Sequence, residues 1–380
     1  MYYSKMLPIL LFIALPFLFV GGCDLFENEQ INPMLCIDKG VSKSTLLVSI
    51  QNGNLNYLES LSSINFESNY KILFEREAPL RIHFKNDFFY YSFSISDSSS
   101  AFIKRDVFSG NRLDSISIPK GGQTFQLNTS KEIYISYGIS IPYIIKNGKV
   151  NLVNFSGVIL PIQKVNDDFY TIYSDSEDFF LSKVDTNGFS QIQKLSPFIE
   201  QFLPNPGIVY DMFYIPNENR LLFTIEDLNN LPRTYLFDID LSTNNTSSFL
   251  VGDHANIYES TDRENFFLSN QSTLRLNSKN ATSIKYYNYK KRKLNEILSF
   301  ENYFNSTGFV EDLAIEGCSL FISANLFEND TNRLRTLLLK FNLINQELEI
   351  INEISNDKDL FSKILSVSVN SNPKTNGGLK

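Results

Sequence analysis

The stretch RLLFTIE at residues 220–226, followed by TYLFDIDLSTNNTSSFLV at residues 234–251, decides the fold of this chain. The first segment is an apolar run typical of a buried strand, and the second is typical of two strands joined by a tight polar turn. The same order, an apolar run and then a hairpin, recurs along the chain. The other apolar runs are DFFYYSF from Asp87, EIYISYG from Glu132, DFYTIYS from Asp168, NFFLSNQ from Asn265 and CSLFISA from Cys318.

The spacing of these runs predicts a β-propeller. Successive runs begin 45, 36, 52, 45 and 53 residues apart, and a period of this size with four strands per unit is typical of propeller blades. A hairpin from Ser44 and a lone strand from Lys363 remain at the two ends. We therefore expect an all-β propeller of seven blades, each of four antiparallel strands, closed by a blade shared between the termini. Six blades are the rival count, and a pair of β-sandwich domains is the alternative fold.

The N-terminus carries a different motif. Lys5 precedes an apolar run at residues 6–20, and Gly21, Gly22 and Cys23 follow it. This order resembles the lipobox at which bacterial lipoprotein precursors are lipidated and cut. The run is shorter than the ~20 residues that a bilayer span needs. We therefore expect removal of residues 1–22 and lipidation of Cys23, with an uncleaved membrane anchor as the alternative.

Composition fits an exported β protein. The chain has 33 Phe, 19 Tyr and no Trp, and 34 basic against 42 acidic side chains. Cleavage would remove only Lys5 and leave a formal charge of −9, which argues against nucleic acid as a partner. The predicted organisation is a signal peptide at 1–22, a tether at 23–33, the propeller at 34–370 and a flexible tail at 371–380.

The lipobox, the short tether and the degenerate blades together resemble the β-propeller lipoproteins of Gram-negative bacteria. This resemblance implies a lipid anchor in the cell envelope, which we expect to be in the outer membrane, and a binding platform or scaffold for a glycan or protein partner. It carries over no catalytic residues, because propellers host unrelated functions. The alternatives are a glycosidase or lyase, and an accessory subunit of an outer-membrane assembly complex.

Acidic residues at three successive blades are the candidate site. Each stands beside an apolar, aromatic or second acidic residue where the chain should enter the innermost strand, near the channel mouth that propellers use for binding. Such carboxylates could hold sugar hydroxyls, a cation or a basic peptide, and a suitably spaced pair could hydrolyse glycosides. Ordinary solvated acidic loops are the alternative. The candidate residues are Tyr210, Asp211, Tyr258, Glu259, Glu311 and Asp312.

Other chemistry has little support in the sequence. The two histidines, His83 and His254, stand in a predicted inner strand and a turn, and neither belongs to a hydrolase motif. No His-rich cluster or C-x-x-C pair is present, so we expect no metal and no cofactor. The basic run at residues 290–293 is predicted to be a solvated turn between the third and fourth strands of a blade. An anionic ligand such as a phosphate or an acidic glycan is the alternative there.

The cysteines suggest one disulfide. Lipidation of Cys23 would leave Cys36 and Cys318 as a pair in an oxidising compartment. They are 282 residues apart, so they can meet only if the fold brings the two ends of the propeller together. Two unrelated buried thiols are the alternative.

Overall fold

Within the described residues, the chain folds into seven antiparallel sheets of four strands each, in a computed structural model. We number these sheets as blades 1 to 7 along the chain. All described residues belong to one compact unit, Cys36–Lys380. The structure describes residues 44–52, 55–75, 79, 82–85, 87–94, 99–119, 124–127, 134–137, 142–146, 149–152, 158–166, 168–175, 178–185, 188–229, 233–252, 255–259, 265–270, 283–304, 306–328, 334–355 and 362–370.

Each blade except the first is built from four strands that follow one another in the chain. Blade 1 consists of β1 (Thr45–Asn52), β2 (Leu55–Ser62), β3 (Ser68–Phe74) and the C-terminal β28 (Ser362–Asn370). Blade 2 consists of β4 (Ile82–Lys85), β5 (Phe88–Ser94), β6 (Ser99–Asp106) and β7 (Arg112–Pro119). Blade 3 consists of β8 (Thr124–Leu127), β9 (Tyr134–Tyr137), β10 (Pro142–Lys146) and β11 (Lys149–Leu152). Blade 4 consists of β12 (Val158–Val165), β13 (Asp168–Ser174), β14 (Phe179–Asp185) and β15 (Gly188–Lys194).

The remaining three blades follow the same order. Blade 5 consists of β16 (Pro206–Ile215), β17 (Arg220–Asp227), β18 (Arg233–Asp240) and β19 (Asn245–Gly252). Blade 6 consists of β20 (Ala255–Glu259), β21 (Asn265–Asn270), β22 (Ser283–Asn288) and β23 (Lys293–Ser299). Blade 7 consists of β24 (Ser306–Glu316), β25 (Ser319–Glu328), β26 (Leu334–Asn342) and β27 (Leu348–Ser355). Helix α1 (Ser196–Ile199) precedes blade 5, helix α2 (Phe300–Phe304) precedes blade 7, and a 3-10 turn spans Pro216–Glu218.

The chain ends share blade 1, as the sequence predicts. The C-terminal strand β28 lies innermost and pairs antiparallel with β1, from Thr45 opposite Asn370 to Asn52 opposite Ser362. The hairpin from Ser44 supplies the next two strands. The closing blade is therefore confirmed, and the count of seven sheets across the described ranges agrees with the main expectation rather than with the rival of six.

The apolar runs that define the repeat are the second strands of their blades. Their large side chains fill the wedge between neighbouring sheets; Phe266 and Tyr287, for example, are almost fully buried between blades 5 and 6. A small hydroxyl residue recurs in the middle of this strand and is at most 2% exposed. In six blades it is Ser49, Ser92, Thr171, Thr224, Ser269 or Ser323.

Side-chain bonds to the backbone link several neighbouring innermost strands. In each case a side chain on one inner strand forms a hydrogen bond with a main-chain group of the inner strand of the next blade. These bonds connect sheets that are not paired with each other through backbone hydrogen bonds. The pairs seen among the described residues are Gln163 with the Tyr214 N–H, Asp211 with the Ile257 N–H, Asp312 with the Val367 N–H, and Ser368 with the Ile82 carbonyl.

The third and fourth strands are joined by one kind of four-residue turn in blades 1, 2, 5, 6 and 7. Its last residue has a positive φ, and is Phe66, Gly110, Asn244, Arg292 or Gln346. The residue before the turn accepts backbone N–H bonds in most cases, as Asp106 and Asp240 do. The basic run at residues 290–293 occupies this turn in blade 6 and the start of the strand after it, where the sequence placed it.

The predicted signal peptide at 1–22, the tether at 23–33 and the tail at 371–380 lie outside the described residues and stay predictions. No helix in the described part of the chain is long and apolar enough to cross a membrane.

Candidate functional site

The inner strands β4, β16, β20, β24 and β28 line a cavity of about 510 Å³. Its polar lining residues are His83, Asp211, Tyr258, Glu311, Asp312 and Ser368. Apolar side chains from the same strands complete it, among them Phe213, Ile257, Leu313, Ile315, Leu365 and Val367. The structure therefore brings together four of the six residues that the sequence singled out.

Two of the strands that supply acids carry the same irregularity. The pairing of β16 with β17 shifts between Val209 and Asp211, and that of β24 with β25 shifts between Val310 and Asp312. Each shift is a β-bulge that inserts one extra residue and redirects side chains locally. Blades 5 and 7 therefore present their polar residues from equivalent positions.

The extra residue of each bulge bonds to the second strand of its own blade. In blade 5 the Tyr210 hydroxyl donates to Glu226 Oε2 at 2.7 Å, and burial together with this carboxylate raises the pKa of Tyr210. In blade 7 the Asn325 Nδ2 donates to Glu311 Oε1 at 3.0 Å. Asn325 also accepts a bond from Thr336, which fixes its orientation. Tyr210 is not part of the cavity lining, whereas Glu311 is.

The acid that follows each bulge reaches the next blade. Asp211 Oδ2 accepts the Ile257 N–H at 3.3 Å, and Asp312 Oδ2 accepts the Val367 N–H at 3.0 Å. Asp312 Oδ1 also accepts its neighbour's N–H, from Leu313, at 2.9 Å. Both aspartates therefore hold neighbouring blades together at the wall of the cavity.

The expectation that the acids stand in entry loops is wrong. Asp211 and Asp312 lie inside β16 and β24, which begin at Pro206 and Ser306. Each of these acids directly follows a β-bulge, which interrupts the ladder locally and redirects side chains without ending the strand.

The pair in blade 6 is not equivalent to the other two. The residues opposite the buried second-strand hydroxyls Thr224 and Ser323 are Asp211 and Asp312. The residue opposite Ser269 in blade 6 is Asn256, not Glu259. Tyr258 still lines the cavity, but the Glu259 side chain lies outside what the structure describes.

The cavity has a negative formal charge. Asp211, Glu311 and Asp312 contribute carboxylates, and the described lining residues include no Lys or Arg to balance them. The described lining also contains two ionisable residues that are not acidic, His83 and Tyr258. His83 lies in strand β4, an inner strand as predicted. This arrangement favours a ligand with hydroxyl or cationic groups over an anion.

The sequence analysis missed the apolar half of the lining and the strand β28. Leu365, the extra residue where β28 shifts register against β1, and Val367 both line the cavity. The signal that could have found them is the second-strand hydroxyl, because aligning the blades on it places Ser366 opposite Ser49 in the same way as Asp211 opposite Thr224.

Two further predictions meet the structure only in part. Cys318 is disulfide-bonded, but Cys36 lies outside the described residues, so the pairing stays a prediction. His254 and Cys23 also lie outside them. In the described part of the chain, no group of three or more His, Cys, Asp or Glu side chains is arranged to hold a metal ion.

Comparison with known proteins supports the fold. No protein-family model and no curated protein matches the sequence. Apo AztD from Citrobacter koseri aligns over 87% of this chain and 98% of its own, at 7% identity and a TM-score of 0.54. The periplasmic gluconolactonase PpgL of Pseudomonas aeruginosa aligns over 85% of this chain and 99% of its own, at 8% identity and a TM-score of 0.53. At such low identity these similarities show a shared β-propeller fold and no shared activity.

Proposed function

We propose that this chain is a lipid-anchored binding protein of the bacterial cell envelope, and that its propeller holds a glycan in the channel cavity. The observation that carries this proposal is the convergence of Asp211, Glu311 and Asp312 on one cavity. The lipobox at Cys23 supports the anchor and the envelope location, for which we favour the outer membrane.

The hydrogen bonds favour binding over glycosidase or lyase chemistry. One carboxylate oxygen of Asp211 and one of Asp312 each accept a hydrogen bond from a backbone N–H of the next blade. A general acid must instead bring its proton to the leaving group, and a nucleophile must reach the reacting carbon. Aspartates whose oxygens are held by backbone N–H groups suit recognition of polar groups better than proton transfer.

The cavity fits a small part of a glycan. Its volume of about 510 Å³ lies within the usual range for small-molecule sites. Apolar lining beside carboxylates suits a sugar ring, which has both C–H surfaces and hydroxyl donors. The unbalanced negative charge favours sugars that carry an amine.

A matched pair of oligosaccharides tests the ligand class. Oligomers of glucosamine carry amines, whereas oligomers of N-acetylglucosamine are neutral, so calorimetric titration of the mature protein with both separates charge from shape. We expect tighter binding of the glucosamine oligomer. Glu311→Gln should weaken it roughly tenfold, because a charge-assisted hydrogen bond is lost.

The control variant is Glu349→Gln, which removes an exposed carboxylate from the outer strand of the same blade. Its affinity should equal that of the wild type. The proposal of a glycan in this cavity fails if neither oligomer binds, or if Glu311→Gln and Glu349→Gln bind with the same affinity as the wild type.

The anchor is tested separately by metabolic labelling with a fatty acid. The wild type should be labelled and Cys23→Ser should not, because only the thiol can carry the lipid. Density fractionation of the labelled membranes then assigns the protein to the inner or the outer membrane. An unlabelled wild type that stays with the membranes would support an uncleaved anchor instead.

A further inference from the structure

One part of the propeller's edge is unusually apolar. It is formed by the four-residue turns between the third and fourth strands, and we call the turns of blades 6, 7, 1 and 2 the turn rim. The second residue of each turn points away from the core. It is Ile344 in blade 7, Ile64 in blade 1 and Phe108 in blade 2, and these side chains are 52%, 49% and 56% exposed.

The corresponding residues in blades 5 and 6 are polar or charged. In blade 5 the second turn residue is Ser242, and in blade 6 it is Lys290, which is followed by Lys291. Three exposed apolar tips therefore stand on consecutive blades, with a basic turn at one side. Monomeric proteins rarely group exposed apolar side chains in this way without a contact for them.

The first described residue lies at the same place. Ser44, the first described residue, accepts a bond from the Ser63 N–H at 3.1 Å and donates its own N–H to Ser63 Oγ at 3.2 Å. Ser63 is the first residue of the blade 1 turn, next to Ile64 in the chain. The described chain therefore begins beside the middle one of the three apolar tips.

The turns that carry these tips are held firmly. The ring of Phe66 packs edge-on against Phe321 of blade 7, with ring centroids 6.4 Å apart. The Tyr70 hydroxyl donates to the Val107 carbonyl in the blade 2 turn at 2.8 Å. The tips therefore present a fixed surface, and their exposure does not come from a loose loop.

We propose that the turn rim lies against a lipid bilayer, with Ile344, Ile64 and Phe108 at the boundary between headgroups and acyl chains. The proposal rests on the lipid anchor at Cys23 and goes beyond it. The residues between Cys23 and Ser44 span at most about 70 Å, which keeps the protein near the membrane without orienting it. The apolar tips supply the orientation, because their insertion removes apolar surface from water.

Charge on the rim is mixed. Lys290 and Lys291 are exposed and suit anionic headgroups. Glu67 and Glu347 follow the turns of blades 1 and 7 and are exposed as well. Apolar contact therefore contributes more than charge to the proposed surface, and blade 6 adds a preference for anionic lipid at its side of the rim.

The chain has no tryptophan, so a single introduced Trp reports on one tip. We would make Ile64→Trp and Phe108→Trp, with Ser242→Trp of blade 5 as the matched control at the same turn position. Each mature protein, from residue 24 with an N-terminal histidine tag, is bound to vesicles of phosphatidylcholine and phosphatidylglycerol that contain a nickel-chelating lipid. Brominated phosphatidylcholine in the vesicles quenches a Trp that reaches the acyl chains.

We expect quenching at residues 64 and 108 to be at least about twofold stronger than at residue 242. Equal quenching at the three positions, or stronger quenching at 242, overturns the proposal. Circular dichroism of each variant confirms that it is folded. The tag replaces the natural lipid, so this result is independent of the labelling experiment: unlabelled wild type refutes the lipid anchor, and equal quenching refutes the orientation.

Discussion

The interface between blades 5 and 6 and the interface that closes the ring between blades 7 and 1 are built on the same backbone plan. In both, a bulge in the inner strand of the first blade places an aspartate, Asp211 or Asp312, on a backbone N–H of the next blade. Away from this shared bond, the two interfaces are filled by different chemistry.

The interface between blades 5 and 6 buries an ion pair. Asp238, with no exposed side-chain surface, receives two bonds from Arg220 at 2.5 and 2.6 Å and one from the Tyr287 hydroxyl. Arg220 also donates to the Tyr289 carbonyl at 3.0 Å. Nearby, the Lys285 ammonium donates to the Val251 carbonyl, and burial lowers the pKa of Lys285.

The closing interface is mainly apolar. Phe321 and Leu338 of blade 7 pack against Leu46, Val48 and Ile364 of blade 1. The polar contacts near them are few in the described residues: Ser323 donates to the Ile364 carbonyl at 2.7 Å, beside the bond made by Asp312.

The two interfaces therefore share the bulge and its aspartate bond, whereas the side chains packed between the blades differ. The interior pair of blades accommodates a buried ion pair, whose burial costs desolvation energy. At the closing pair the chain passes from β27 into β28, and the N-terminal strands of blade 1 are held by their ladder to β28 and by apolar packing against blade 7. Cys318 packs in the apolar cluster between blades 6 and 7. It holds the same position in blade 7 as Ser44 in blade 1, since each carbonyl accepts the N–H of the first turn residue.

The predicted disulfide should have the largest effect on closure of the ring, because it would tie blade 7 to the chain segment that precedes blade 1. We predict that Cys318 is bonded to Cys36, so that thiol counting on denatured, unreduced mature protein finds no free thiol. Cys318→Ser should lower the free energy of unfolding by up to about 5 kcal/mol, because the bond closes a very long loop in the unfolded chain. Denaturant titration measures the loss. A count of two free thiols, or a Cys36→Ser variant as stable as the wild type, would show that closure does not depend on this bond.

The buried ion pair should give the next largest effect. Asp238→Ala leaves the Arg220 guanidinium, whose side chain is 13% exposed, without its partner, and we expect a loss of about 3–5 kcal/mol in the free energy of unfolding.

The matched control is the Arg335–Glu353 pair in blade 7, which is also bidentate but more exposed, at 23% and 37%. Glu353→Ala should cost less than about 1 kcal/mol. Similar losses in the two variants would mean that burial does not distinguish the interfaces.

Substitutions of Asp211 and Asp312 test whether the bond from the aspartate to the next blade contributes equally to stability at the two interfaces. Asp211→Ala and Asp312→Ala should each cost about 2 kcal/mol, the usual range for a hydrogen bond to a charged group. Asp→Asn at either position keeps an acceptor oxygen and should cost less. If Asp312→Ala is tolerated while Asp211→Ala is not, the apolar packing alone closes the ring.

Much of this fold could be predicted from the sequence because its strongest pattern is local. Apolar runs such as residues 220–226, bounded by polar turns, identify the second strand of each blade without any knowledge of contacts. The shared blade follows from the same pattern, since the hairpin from Ser44 lacks an inner strand and the strand from Lys363 lacks partners.

The candidate site could be predicted only in part. Acidic pairs near the inner strands are visible in the sequence, and Asp211, Glu311 and Asp312 do reach one cavity. A bulge has no periodic signature, so the sequence could not show that Tyr210 and Glu311 are the inserted residues. For the same reason it could not show that Asn256, rather than Glu259, is the counterpart of the two aspartates.

The smallest expected effect belongs to a third interface, between blades 1 and 2, where Tyr70 donates to the Val107 carbonyl. Burial raises the pKa of the Tyr70 hydroxyl to about 12 from its ordinary value near 10. The unfolded chain therefore loses this proton at lower pH than the folded protein does. The contribution of Tyr70 to stability is fully present below pH 10 and is lost as the pH rises from about 10 to 12.

Tyr70→Phe keeps the ring that packs over Gly110 and removes only the hydroxyl. At pH 8 we expect it to be less stable than the wild type by about 1 kcal/mol, and this difference should shrink as the pH rises from about 10 towards 12. Denaturant titrations of both proteins at pH 8, 10 and 11.5 measure it. Tyr303→Phe, which removes an exposed hydroxyl bonded to the Gln346 carbonyl, serves as the control at pH 8 and should cost less stability than Tyr70→Phe. A constant difference for Tyr70→Phe across this range would show that the interface between blades 1 and 2 is held by the packing of the ring and not by the protonated hydroxyl.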